Sequence, residues 1–178
     1  MDVKQDIKWD DILNKTVLDW KNIYLTPIKS TIDTILRNFQ YKFLMQIIPT
    51  NSFLLKCKIV NTNLCDFCNR NIETVKHLFW ECHYSQHFWS QLKTFLLGIG
   101  IYFELKYKFI CFGKRKQQIL NFIIISAKYF IFRNKYTKTI PNFIEYKSFL
   151  YRRIEIEKCI ALDKDKLEQH IKKWRAFC

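Results

Sequence analysis

Apolar residues recur at helical spacing along most of this chain. Between residues 32 and 47 the pattern is clearest: Ile32, Ile35, Leu36, Phe39, Phe43 and Ile47 fall at i, i+3, i+4, i+7, i+11 and i+15. That stripe predicts one helix of about four turns. Ser30, with Asp33 in the first turn, would start it and Pro49 would end it. Upstream, Trp9, Ile12, Leu13, Val17 and Trp20 predict an amphipathic helix, which Pro27 should break while biasing Thr26 toward an extended shape. Thr50 or Asn51 can cap a short helix bearing Phe53, Leu54 and Cys57. Residues 74–89 read as helix, and Leu92, Phe95, Leu96 and Ile99 carry its apolar face on to Gly98 and Gly100. A helix over roughly residues 117–136 contains the longest apolar segment, residues 119–132, interrupted by Asn121, Ser126 and Lys128. That segment is too short to span a bilayer comfortably and reads as buried. Pro141 falls in the first turn of a further helix with Phe143, Tyr146, Phe149, Leu150 and Ile154, and Leu167, Ile171 and Trp174 mark a last one. Residues 103–109 instead alternate strictly, the pattern of a strand. With no partner strand evident, a short extended linker fits that stretch equally well.

Composition supports the helical reading. Three glycines and three prolines in 178 residues leave little turn chemistry for many hairpins, and 17% aromatic content argues against disorder. Charge adds a second theme. The formal net charge is +14, of which residues 1–100 contribute +3 and residues 101–178 contribute +11. A basic half-chain points to a polyanionic partner, with phosphate the obvious group, although a merely solvated surface is the plainer alternative. The candidate phosphate contacts are Lys114, Arg115 and Lys116 at a hinge after Gly113, Arg152 and Arg153 beside an apolar stripe, and Lys172, Lys173 and Arg175 near the end.

Residues 65–82 carry the candidate chemistry. Cys65, Cys68, His77 and Cys82 follow a C-x2-C-x8-H-x4-C spacing. Three thiolates and one imidazole complete a tetrahedral set for Zn²⁺ and leave no position for a catalytic water, so the site reads as structural. The rivals are a redox pair at Cys65 and Cys68 or buried thiols, with His83 the nearest substitute ligand. His77 and Cys82 lie about 140° apart on an ideal helix, so the helix must distort or stop for both to reach one ion. Phe67 and Arg70 sit in this turn; Phe67 could stack on an unpaired base or simply cover the metal site. The other four cysteines (Cys57, Cys111, Cys159 and Cys178) show no pairing spacing, and no secretory leader opens the chain. An intracellular, reducing setting, cytoplasmic or nuclear, is therefore expected, with no membrane partner.

The residues Phe39–Gln40–Tyr41–Lys42, Pro49–Thr50–Asn51, Leu55, Cys65–Asp66–Phe67–Cys68, the run at residues 72–82 and Phe88–Trp89 together resemble the zinc-binding region that follows the reverse transcriptase domain in LINE-type (non-LTR) retrotransposons. Phe112–Gly113, Asn121, Ala127–Lys128–Tyr129, Arg133, Pro141 and Trp174 look like the tail of the same polyproteins. The resemblance implies a mostly α protein: a helical lead-in at residues 1–29, a zinc-binding domain at 30–100 and a basic helical bundle at 101–178. It further implies a non-catalytic module that helps hold template RNA or target DNA, with RNA or single-stranded DNA and the upstream reverse transcriptase domain as partners. A decayed remnant of such an element is also compatible with it. No tyrosine precedes a paired-aspartate polymerase motif here, and Asp163–Lys164–Asp165 lacks its setting. Two other classes stay open: a helical module docking on a polymerase domain, and a thiol oxidoreductase using Cys65 and Cys68.

Overall fold

The computed structural model describes Trp9 and residues 19–177. Helices α1 (Trp20–Ser30), α2 (Thr34–Leu44) and α3 (Asn51–Lys56) precede a metal-ligand-type knuckle. A π turn (His77–Glu81) follows, then α4 (His83–Gly98), α5 (Tyr107–Phe112), α6 (Gln118–Thr137), α7 (Phe143–Asp163) and α8 (Leu167–Trp174), with a last 3₁₀ turn at Arg175–Phe177. Among the described residues there is no strand beyond one isolated antiparallel bridge, Leu64 to Ile72. The chain is mostly α, as its periodicity requires.

Helix α6 is the centre of the packing. Residues 120–128 are all buried, so the helix is enclosed on every side, the arrangement expected where apolar residues run without a polar face. It packs on α1, α2 and α7, while α4 and α8 lean on α7. Aromatic side chains fill the spaces between: Phe88 lies against Phe130 and Tyr146, Phe39 against Phe79 and Tyr129, and Phe122 against Trp174. The polar residues that interrupt α6 are satisfied inside. Asn121 receives the Lys114 amide and donates to its carbonyl, and Ser126 shares a hydrogen bond with the buried Tyr146 hydroxyl.

Several local expectations change. Pro27 does not end a helix but lies buried within α1. It cannot donate to the Ile23 carbonyl; the Thr26 and Ser30 hydroxyls donate to the carbonyls of Asn22 and Thr26, holding the turn around it. Ser30 therefore closes α1, and Asp33 alone caps α2, accepting from the amides of Ile35 and Leu36. The α2 stripe is narrower than its sequence suggests: Leu36, Phe39 and Phe43 are buried, whereas Ile32, Ile35 and Ile47 are exposed. Residues 103–109 form no strand: residues 103–106 have no regular structure and residues 107–109 begin α5, whose apolar residues Ile110, Cys111 and Phe112 turn into the core. Pro141 precedes α7 rather than entering it, and Asn142 is the cap. The helix expected between Trp9 and Trp20 falls mostly outside the described residues; Trp9 itself is buried, its indole donating to the Leu44 carbonyl.

Candidate metal centre

The knuckle is built by main-chain bonds. Leu64 and Ile72 pair, Cys65 N–H donates to the Asn71 carbonyl, and Asn69 N–H returns to the Cys65 carbonyl. Asn69 takes a positive φ of 51°, which asparagine tolerates better than most residues. This fold-back points Cys65 and Cys68 to one side.

The step from His77 to Cys82 is met by a π turn. Cys82 N–H donates to the His77 carbonyl at 2.8 Å, an i→i+5 bond that brings residues five apart to the two ends of one hydrogen-bonded ring. Cys82 is then extended (φ −62°, ψ 127°) and sits at the N-cap position of α4. So the helix both widens and stops. A widened turn frees carbonyls from the regular ladder, and side chains from the next helix take them: the Ser85 hydroxyl donates to Leu78 and the Trp89 indole to Phe79.

Cys65, Cys68, His77 and Cys82 consequently each place one ligand atom within 4.8 Å of the other three. The Cys68 sulfur lies 3.4 Å from His77 Nε2, close to the edge of a tetrahedron with metal bonds of about 2.0–2.3 Å. Cys65, His77 and Cys82 are buried and Cys68 half-buried. Cys65 and Cys82 share a hydrogen bond, which holds the Cys65 thiol up and draws the Cys82 thiol down; the amides of Tyr84 and Ser85 add to the lowering. Burial lowers the His77 imidazole, favouring its neutral, ligating form. Three soft thiols and a neutral imidazole, convergent and mostly dry, suit a metal ion.

A redox pair at Cys65 and Cys68 fits less well. Cys65 is fully buried and its thiol is raised, the opposite of a reactive attacking sulfur. His83 and His87 are exposed and outside the cluster, and His170 is buried against α7, donating to the Ile154 carbonyl.

Three of the side chains nominated for nucleic acid are placed elsewhere. Phe67 is 6% exposed and joins the core, so its ring is not offered to a base. Arg153 pairs with the α2 cap Asp33 at 2.6 Å. Lys173 bridges Glu157 and the Ser30 carbonyl. Both cations are thus paired with a buried carboxylate that would be left uncompensated if they turned to solvent. Arg70, Arg115, Lys116, Arg152, Lys172 and Arg175 are exposed, and Lys114 is half-buried with its ammonium over Phe109.

Sequence reasoning passed over the polar group behind the knuckle. Glu73 is fully buried; its carboxylate accepts from the amides of Asn51 and Asp66 and lies 3.2 Å from the Lys135 ammonium. Lys135, from the end of α6, also reaches Asp66 and Asn51 Oδ1, each at 3.0 Å. One buried cation thus ties the knuckle to the centre of the fold.

What these features define is a helical module carrying a pre-arranged Cys3His cluster that can hold a metal ion. Residues 8–89, somewhat under half of the chain, match the family model described as zinc-binding in reverse transcriptase. The match supports a reverse-transcriptase-associated zinc-binding region there. No curated protein matches the chain. Among the described residues, no helix is long and apolar enough to cross a membrane.

Proposed function

We propose that this chain is a zinc-dependent, non-catalytic nucleic-acid-binding module of a LINE-type reverse transcriptase, or a remnant of one, acting inside the cell. The observation that carries the reading is the coincidence of four convergent ligands, Cys65, Cys68, His77 and Cys82, with a match to a reverse-transcriptase-associated family over the same residues. Zinc suits three sulfurs and one nitrogen in a closed tetrahedron, and when bound it cross-links the knuckle to the start of α4. The chain's own residues do the rest. The π turn and the Glu73 network hold the ligands together, while the exposed Arg115, Lys116, Arg152, Lys172 and Arg175 of the second half attract phosphate. The role is to hold template RNA or target DNA while a separate domain copies.

A second reading has its own support. Phe53, Leu55, Ile59, Leu64 and Ile72, on α3 and the knuckle, are 37–68% exposed. Apolar side chains at that density suit docking on a polymerase domain with little direct nucleic-acid contact. One titration separates the two. Binding of labelled RNA or single-stranded DNA to the metal-loaded chain should weaken steeply between low and moderate salt, since each phosphate contact releases counterions. No binding at any salt would contradict the first reading and favour the second.

A further inference from the structure

A cleft of about 620 Å³ opens between the loop at residues 100–102, the start of α6 and the exposed face of α8. Its walls include Tyr102, Lys116, Gln117, Gln169 and Lys172. We infer that this cleft is the single-strand contact of the module, stacking one unpaired base on Tyr102 and holding the neighbouring phosphates with Lys116 and Lys172. The inference rests on the nucleic-acid reading above and assigns that binding a place.

Four observations converge on it. Tyr102 is 68% exposed, the most exposed aromatic side chain among the described residues, and it takes no part in the hydrophobic core. An aromatic ring left in solvent beside cations is the arrangement that binds single strands without sequence preference. Lys116 and Lys172 are exposed, and among the described residues neither is held in an ion pair. No carboxylate lines the cleft, and Lys173, a further lining residue, neutralises the nearby Glu157 in an ion pair. Finally, Gln117 is a wall residue whose Oε1 is buried without a hydrogen-bond partner, so a ligand that turns the amide outward relieves an unsatisfied acceptor. The volume lies in the range that accommodates a nucleotide-sized ligand.

The basic cleft between α6 and α7 is the natural comparison, and it is less suited. There Arg133 and Arg153 already lie over the Phe149 ring, Arg153 is bound to Asp33, and Glu145 adds a carboxylate to the lining.

The test uses the metal-loaded full chain and a fluorescein-labelled oligouridine or oligothymidine, read by anisotropy. Tyr102→Ala should weaken binding by about 5- to 100-fold, and Tyr102→Phe should restore it, because stacking needs the ring and not the hydroxyl. Lys116→Asn, which suits the positive φ of 61° at that position, and Lys172→Gln should each lower the slope of log K against log salt by about 0.7. Arg133→Gln should leave affinity and slope unchanged. All these side chains are exposed, so unchanged far-ultraviolet dichroism and metal content would verify folding. If the wild type binds but the Tyr102, Lys116 and Lys172 variants bind equally well, the cleft assignment is wrong while nucleic-acid binding stands. If the wild type binds neither oligomer, both fail.

Discussion

Lys128 is the residue whose environment contradicts its type most strongly. It is 1% exposed, with its ammonium 2.5 Å from Gln40 Oε1 and 4.0 Å from the centre of the Phe43 ring. Burial pushes its pKa down to about 7 from the ordinary lysine value. Between about pH 7 and 10 the folded chain then holds the amine neutral, while the unfolded chain protonates it. Unfolding takes up a proton in that window, so stability rises with pH there, by up to about 1.4 kcal/mol per pH unit. Above pH 9 the buried Cys111 thiol, raised to about 12, opposes the rise, because only the unfolded chain ionises it. Urea denaturation midpoints should therefore increase from pH 7 to about 9 in the wild type more than in Lys128→Met. Parallel profiles for the two proteins would show that Lys128 stays charged in the fold. Glu73 presents the converse case, a buried acid whose partners are all in place. Glu73→Ala would strand the Lys135 ammonium and two main-chain amides, and should cost about 3–5 kcal/mol in the same experiment. A loss below about 1 kcal/mol would mean that water replaces the carboxylate.

The π turn is the element on which the metal site depends. Its sequence cause is not in the turn itself but in α4, where Ser85 and Trp89 present donors to the carbonyls of Leu78 and Phe79. Trp89→Phe keeps an aromatic ring but loses part of the indole volume and leaves the Phe79 carbonyl without its donor. The expected cost is about 1–3 kcal/mol, with faster loss of metal to a chelator than from the wild type. Unchanged chelation kinetics would show that the turn holds its shape without the indole. The sequence itself displays the four ligands and the need for a distortion between His77 and Cys82, because ligand spacing and helix period are both local. It cannot display which distortion occurs, since that depends on side chains a turn or two further on. The strict alternation at residues 103–109 misleads for a related reason. A strand needs a neighbour to pair with, and the apolar end of that stretch instead enters the core as α5.

At the scale of the whole molecule, the knuckle and the second half of the chain are bound together by charges that no local pattern reveals. Lys135 of α6 reaches Asp66 and Glu73 across more than sixty residues, and Glu157 of α7 accepts from the Thr31 hydroxyl and the Ile32 amide at the α1–α2 corner. Gln40 and Glu73 enter the sequence reading only as parts of a family resemblance, and Asn51 otherwise only as a candidate cap; the structure gives all three a physical role as buried hydrogen-bonding groups. The apolar helices were legible because burial follows periodicity, whereas long-range polar partners leave no period to read. Zinc K-edge X-ray absorption on the purified full chain reads the Cys65, Cys68, His77 and Cys82 cluster without intermediaries. One zinc per chain is expected, with three sulfurs at about 2.3 Å and one nitrogen at about 2.0–2.1 Å, and loss of that signal in Cys65→Ser and Cys82→Ser. A folded chain that carries no metal, or a zinc bound mainly by oxygen, would contradict it.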